Sequence, residues 1–143
     1  MHRHLLGIDG MTRAEIAQLI DAAAQPQPAH LQGKVILNLF LENSTRTRLS
    51  FDVAAQRLGA RVITMTGDGS SLKKGESLGD TLLTLAALRP DAVVIRCSEA
   101  GSAHQAASIF DCPVINAGDG TGEHPTQALL DAVTLTQRFD TLD

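Results

Sequence analysis

The sequence contains no tryptophan, no tyrosine and only four phenylalanines, which removes the aromatic platforms on which single-strand nucleic-acid binders stack bases. Positive charge is not in excess: 12 Lys+Arg stand against 16 Asp+Glu, a formal net charge of -4. The basic footprint of a nucleic-acid-binding domain is therefore missing. The two cysteines, Cys97 and Cys112, form no CxxC pair and have no histidine at ligand spacing, so they read as buried reduced thiols, and neither a metal nor a cofactor is expected. No run approaches the roughly 20 apolar residues of a membrane span, and the opening MHRHLLGIDGMTRAEI lacks the apolar stretch of a signal peptide. A cytoplasmic protein without membrane contact is the expectation.

What is present is a chain of 143 residues, the size of one ordinary domain. Thr12 and Glu15 have capping-box spacing, and Ile16, Leu19, Ile20 and Ala23 repeat at helical period until Pro26 and Pro28 end the helix. Apolar runs at 34–41, 60–66, 91–97 and 112–118 have the length of buried strands. Helical patterns follow each: Phe51, Ala54, Ala55 and Leu58 up to Gly59, then 77–88, then 101–109, then a helix with Pro125 in its first turn and Leu129, Ala132 and Val133 on one face. This alternation predicts an α/β fold, a doubly wound four-stranded parallel sheet with helices on both faces, as one domain over 1–143.

In such sheets ligands gather at the carboxyl ends of the strands, so the loops that follow strands are where chemistry is sought. The first carries Ser44, Thr45, Arg46, Thr47 and Arg48 in a row. Ser44 is placed to cap a helix whose free N–H groups, with the guanidinium of Arg46, suit a phosphate. A bare serine cap with two solvated arginines is the plainer alternative. No GxxxxGK[ST] is present and no GxGxxG follows a strand, which excludes the Walker and dinucleotide loops. The second loop, SSLKKGES, brings Ser70, Ser71, Lys73 and Lys74; on its own it reads as a solvated turn. Arg96 follows the apolar stretch 92–95 near the end of the third strand run, where it can enter the same crevice or simply face solvent. After the fourth run, His124 precedes Pro125 and Gln127. A helix start disfavours the imidazolium, so a neutral imidazole donating to a carbonyl fits there as well as a structural cap does. His2, His4, His30 and His104 have no comparable setting. Together these loops suit a small phosphorylated molecule with a polarisable carbonyl, handled by positioning and electrostatics rather than by a covalent intermediate.

FLENSTRT matches the carbamoyltransferase signature at every fixed position, and SSLKKGES, VVIRC and HPTQALLD resemble the other landmarks of aspartate carbamoyltransferase catalytic chains in the same order. The resemblance implies the carbamoyl-phosphate-binding domain of an enzyme that transfers the carbamoyl group to L-aspartate in pyrimidine synthesis. It implies that Ser44, Thr45, Arg46 and Thr47 hold the phosphate, that Thr47, Arg96 and His124 surround the carbonyl oxygen, and that Gln127 meets the carbamoyl nitrogen. It further implies a homotrimer in which Ser70 (or Ser71) and Lys74 reach a neighbouring subunit's site. A regulatory chain is left open. SSLKKGE argues for the aspartate over the ornithine enzyme. Family chains are about twice as long, so a second, aspartate-binding domain is absent here, and the expectation is a partial chain that does not turn over alone. An ornithine or other acceptor, a non-catalytic trimerising scaffold, and a generic phosphosugar or nucleotide binder remain as alternatives; the last does not explain His124 with Gln127.

Overall fold

The Thr12–Glu15 capping box forms as its spacing predicts. The Thr12 hydroxyl accepts from the Glu15 N–H, and the Glu15 carboxylate accepts from the Thr12 N–H at 2.9 Å. In the computed structural model, which describes residues 4–67 and 75–139, this box opens α1 (Arg13–Ala24). Ile16, Leu19 and Ile20 are half-buried and Ala23 is exposed, and the helix lies against the last helix of the chain. The chain continues through β1 (Val35–Phe40), α2 (Thr45–Arg57), β2 (Arg61–Thr66), α3 (Leu78–Ala86), β3 (Ala92–Cys97), α4 (Ser102–Ile109), β4 (Val114–Asp119) and α5 (Pro125–Phe139). Ser70, Ser71, Lys73 and Lys74 lie outside the described residues.

All strand pairs are parallel, in the order β2-β1-β3-β4. Side chains alternate across a strand, and the sheet accordingly builds two cores. Leu37, Leu39, Val93, Ile95 and Val114 pack with Leu82 of α3 and with Ala103 and Ala106 of α4. Ile36, Phe40, Val94 and Ala117 pack with Ala55 of α2 on the other face. Helices on both faces are thus what the apolar runs of the strands require. Each Leu, Ile, Val or Phe among them contributes about 1.5–3 kcal/mol by leaving water, and each Ala less.

Most boundaries fall within one residue of the sequence expectation, and two differ by two residues. β4 begins at Val114 rather than Cys112, because Pro113 has no N–H to give a ladder. α3 stops at Ala86 rather than Leu88: Pro90 keeps Arg89 out of the helical region, and Arg89 turns to φ 50°. One feature had no signal in the apolar pattern: the segment around Leu5 forms an isolated parallel bridge to Ile115 on the outer side of β4. Leu5 N–H donates to Val114 O, and Asn116 N–H donates to Leu5 O.

The strand order positions the site. β1 leads outward to β2, whereas the chain returns to β3 on the opposite side of β1, so the winding reverses between β1 and β3. A crevice opens there at the carboxyl edge.

Candidate functional site

At this crevice a cavity of about 610 Å³ is lined by Ser44, Arg46, Thr47, Ser50, Phe51, Ala54, Arg96, His124, Thr126, Gln127 and Leu130. It draws on the start of α2 after β1, the end of β3, and the start of α5 after β4. Six of the residues singled out from the sequence meet here. Thr45 does not line the cavity; it is the exposed first residue of α2. Arg48 is half-buried and also lies off the lining.

Ser44 occupies the N-cap position of α2 but does not cap it. Thr12 and Ser77, which do cap their helices, sit near φ -75° and ψ 155°, with φ -76° and -73° respectively. Ser44 instead takes φ -154° and ψ 94°, so its hydroxyl is not brought over the first turn. The first intrahelical bond runs from Arg48 N–H to Ser44 O. The N–H groups of Thr45, Arg46 and Thr47 therefore have no intrahelical acceptor, and the positive end of the helix dipole is left for an anion.

A polar pin orients this helix. Asp52 Oδ1 accepts from Asn38 Nδ2 at 2.7 Å and from the Thr64 hydroxyl at 2.8 Å, which ties α2 to the middle of β1 and β2. Asn38 is fully buried, and its Oδ1 has no hydrogen-bond partner among the described residues.

Arg96 is placed by an irregularity in the sheet. Ile95 pairs with Asn116 and Cys97 with Asp119, so Arg96 alone faces two residues of β4, Ala117 and Gly118. Such a bulge re-aims neighbouring groups. Here it turns Ala117 O toward Arg96 Nη1, which donates to it at 2.9 Å. Arg96 Nε lies 3.5 Å from Glu42 Oε2, close enough for charge pairing, yet it has no hydrogen-bond partner among the described residues. Gly118 adopts φ 117°, and a Cβ on it would stand 2.6 Å from Arg96 Nη1 and 3.3 Å from His124 Cδ2.

Burial, reinforced by the positive charge of Arg96, lowers the His124 pKa below its ordinary 6.5. The ring is therefore neutral at pH 7. The Thr126 hydroxyl lies 3.4 Å from Nδ1; when that hydroxyl donates, the ring proton sits on Nε2. Gln127 Nε2 donates to Asp131 Oδ1 at 3.0 Å, which orients the amide with its oxygen as the remaining acceptor.

The loop from β4 to α5 hangs on Asp119. Its Oδ1 accepts from Glu123 N–H at 2.6 Å and its Oδ2 from Gly101 N–H at 2.8 Å. Burial works to raise its pKa, but these bonds, the Asn116 side chain and the nearby His104 outweigh it and hold the carboxyl below the usual carboxylate range. Glu42, Gly118 and Asp119 were not singled out as site residues from the sequence. Glu42 stands at a fixed position of the signature, which was the available signal. Among the described residues no group of three His, Cys, Asp or Glu side chains is arranged to hold a metal ion.

Comparison with known proteins agrees with this geometry. Residues 3–137 match the family described as aspartate/ornithine carbamoyltransferase, carbamoyl-P binding domain. The aspartate carbamoyltransferase catalytic subunit of Solibacter usitatus is 54% identical over 97% of this chain and 49% of its own length. That of Rhodospirillum rubrum is 51% identical over 96% and 46%. The chain spans about half the length of the curated relatives it matches. Among solved structures, Trypanosoma cruzi aspartate transcarbamoylase in complex with carbamoyl phosphate and aspartate superposes with TM-score 0.87 at 36% identity, covering 99% of this chain and 46% of that one. The catalytic subunit from M. jannaschii gives 0.86 at 39% identity, covering 99% and 49%. With its signature loop, its parallel sheet and its cavity at the winding reversal, the chain belongs to the aspartate/ornithine carbamoyltransferase family, in the carbamoyl-phosphate-binding domain.

Proposed function

We propose that the cavity binds carbamoyl phosphate and that the chain is the carbamoyl-phosphate-binding part of an aspartate carbamoyltransferase. The observation that carries this is the convergence of three loops on one cavity, with an uncapped helix start at one end and Arg96, neutral His124 and Gln127 at the other. The phosphate sits on the N–H groups at 45–47, so that Thr45 contributes its backbone, with the Ser44 and Thr47 hydroxyls as neutral donors and the Arg46 guanidinium stabilising the charge that grows as phosphate leaves. Thr47, Arg96 and His124 donate toward the carbonyl oxygen. There they stabilise the negative charge that develops when an amine adds to the carbon. The amide oxygen of Gln127 accepts from the carbamoyl NH2 group.

The acceptor is L-aspartate, held by a second domain outside this sequence. The amine nitrogen bonds to the carbamoyl carbon as the carbon–oxygen bond to phosphate breaks. The naming of the relatives and the Trypanosoma complex with both substrates support aspartate over ornithine. We also propose a cytoplasmic homotrimer with sites completed by Ser70 (or Ser71) and Lys74 of a neighbouring subunit. Exposed Leu49 and Val53 on α2, and Ile63 on the opposite face of the edge strand β2, leave apolar side chains on both faces of this edge and support a protein contact there.

The test is calorimetric titration of the chain with carbamoyl phosphate. Binding should be saturable and compete with inorganic phosphate, and Arg46→Ala should weaken it about 10- to 100-fold, the worth of one hydrogen bond to a charged group. Absence of binding, or an Arg46→Ala variant that binds as the parent does, counts against the assignment.

A further inference from the structure

We infer that Asp119 is a positioning residue: its buried carboxylate fixes the loop that carries His124 relative to the strand that carries Arg96. The inference rests on the assignment of the cavity to carbamoyl phosphate, and goes beyond it in naming what sets the carbonyl-binding half of the site.

Asp119 does not line the cavity, and its carboxylate accepts from the N–H groups of Gly101 and Glu123, which do not line it either. It is 3% exposed, at the last position of β4, where it pairs with Cys97, the residue after Arg96. One carboxylate oxygen holds Glu123 N–H, next to His124. The other holds Gly101 N–H, at the entry to α4 on the chain leaving β3. The backbone closes the same loop: Asp119 N–H donates to Glu123 O, and Gly122 N–H donates to Asp119 O. Asn116 Nδ2 also donates to Glu123 O, and Gly118 N–H to Asn116 Oδ1. The loop is built around the acid. A Cβ at Gly122 would stand 2.5 Å from Asp119 Oδ1, and a Cβ at Gly120 would lie deep inside contact distance of Ser98 O. Glycine at both positions lets the carboxylate and the two loops approach.

The partners of the carboxylate, the two N–H groups and the Asn116 side-chain amide, are all donors, and this makes the inference testable with a nearly isosteric change. Asparagine offers one acceptor oxygen and one NH2 group. In Asp119→Asn one of the two N–H groups therefore loses its acceptor and faces another donor. The helix α2 end of the cavity, which holds no bond to Asp119, is untouched.

The experiment compares the parent chain with Asp119→Asn by NMR titration of the His124 ring and by calorimetric titration with carbamoyl phosphate and with inorganic phosphate. In the variant the ring should titrate closer to 6.5 than in the parent, because His124 is no longer held in its buried place beside Arg96. Affinity for carbamoyl phosphate should fall about tenfold or more, and affinity for inorganic phosphate less than about threefold. A merely structural role would lower both affinities together and leave the ring's titration where it was; that result, or no change in any readout, overturns the inference. Gly122→Ala presses on the same carboxylate from the other side while keeping its charge, and should shift the ring and the affinity ratio in the same direction. It decides the matter if Asp119→Asn does not fold. A parent chain that binds phosphate but not carbamoyl phosphate would defeat the assignment of the cavity, while the ring's titration would still decide the role of Asp119.

Discussion

Replacing Gly118 by alanine should dislodge Arg96 while leaving the sheet intact. Gly118 sits in the β4 bulge at φ 117°, a region L residues rarely adopt, and the added methyl would meet Arg96 Nη1 at 2.6 Å. Holding a residue with a Cβ there costs roughly 1–3 kcal/mol. The clash is relieved most readily by moving the guanidinium, whose bond to Ala117 O at 2.9 Å is then lost; that adds about 1 kcal/mol. A total of about 2–4 kcal/mol in a domain of this size lowers Tm by about 7–13 °C. Differential scanning calorimetry reads the first effect, and calorimetric titration with carbamoyl phosphate reads the second, a loss of affinity of about tenfold or more as Arg96 leaves the carbonyl. A variant whose Tm stays within about 2 °C of the parent and whose affinity is unchanged would refute the reasoning, because it would mean that the bulge does not hold Arg96.

His124 should titrate below 6.5 by NMR, and Arg96→Gln should bring it only part of the way back, since burial is the larger cause and the arginine's charge the second. The folded pKa is depressed for a base, so between it and 6.5 the unfolded chain binds more protons. Stability therefore falls as the pH drops through that window, and His124→Gln should flatten this part of the curve in thermal denaturation. Asp52→Ala strips the acceptor from both Asn38 Nδ2 and the Thr64 hydroxyl. It should cost about 1–3 kcal/mol, and phosphate affinity should fall with it as α2 loses its seat on the sheet. Ile63→Lys, on the exposed edge strand, should shift the proposed trimer toward monomer in sedimentation; a trimer that persists would move the interface elsewhere.

The fold was legible because parallel strands buried on both faces write themselves as short apolar runs. VILNLF and AVVIRC are almost wholly buried, and the proline and glycine breaks delimit them. The site's membership was legible for a related reason: polar residues clustered directly after those runs must emerge at the carboxyl edge of the sheet. The devices that aim the site were not. The β4 bulge depends on how β3 and β4 pair, and nothing in VINAGD shows that Arg96 will face two residues there. Ser44 has the right chemistry for a cap, but its backbone angles, set by the path from β1 into α2, decide that its side chain does not serve as one. Asp119 reads in sequence as one acid in a glycine-rich turn; its role exists only once Gly101 and Glu123, distant from each other along the chain, are brought to its two oxygens.

Whether one anion-binding helix start and one carbonyl-binding corner share a single ligand can be read by mapping amide and side-chain NMR shifts of the isotopically labelled chain on titration with carbamoyl phosphate. The backbone N–H signals of Thr45, Arg46 and Thr47 should move together with those of the Arg96 and His124 side chains along one binding curve, whereas inorganic phosphate should move the first group and leave the second nearly in place. Carbamoyl phosphate shifts confined to the α2 start, or falling in a separate cavity lined by His4, Asp9 and His104, would contradict a shared ligand.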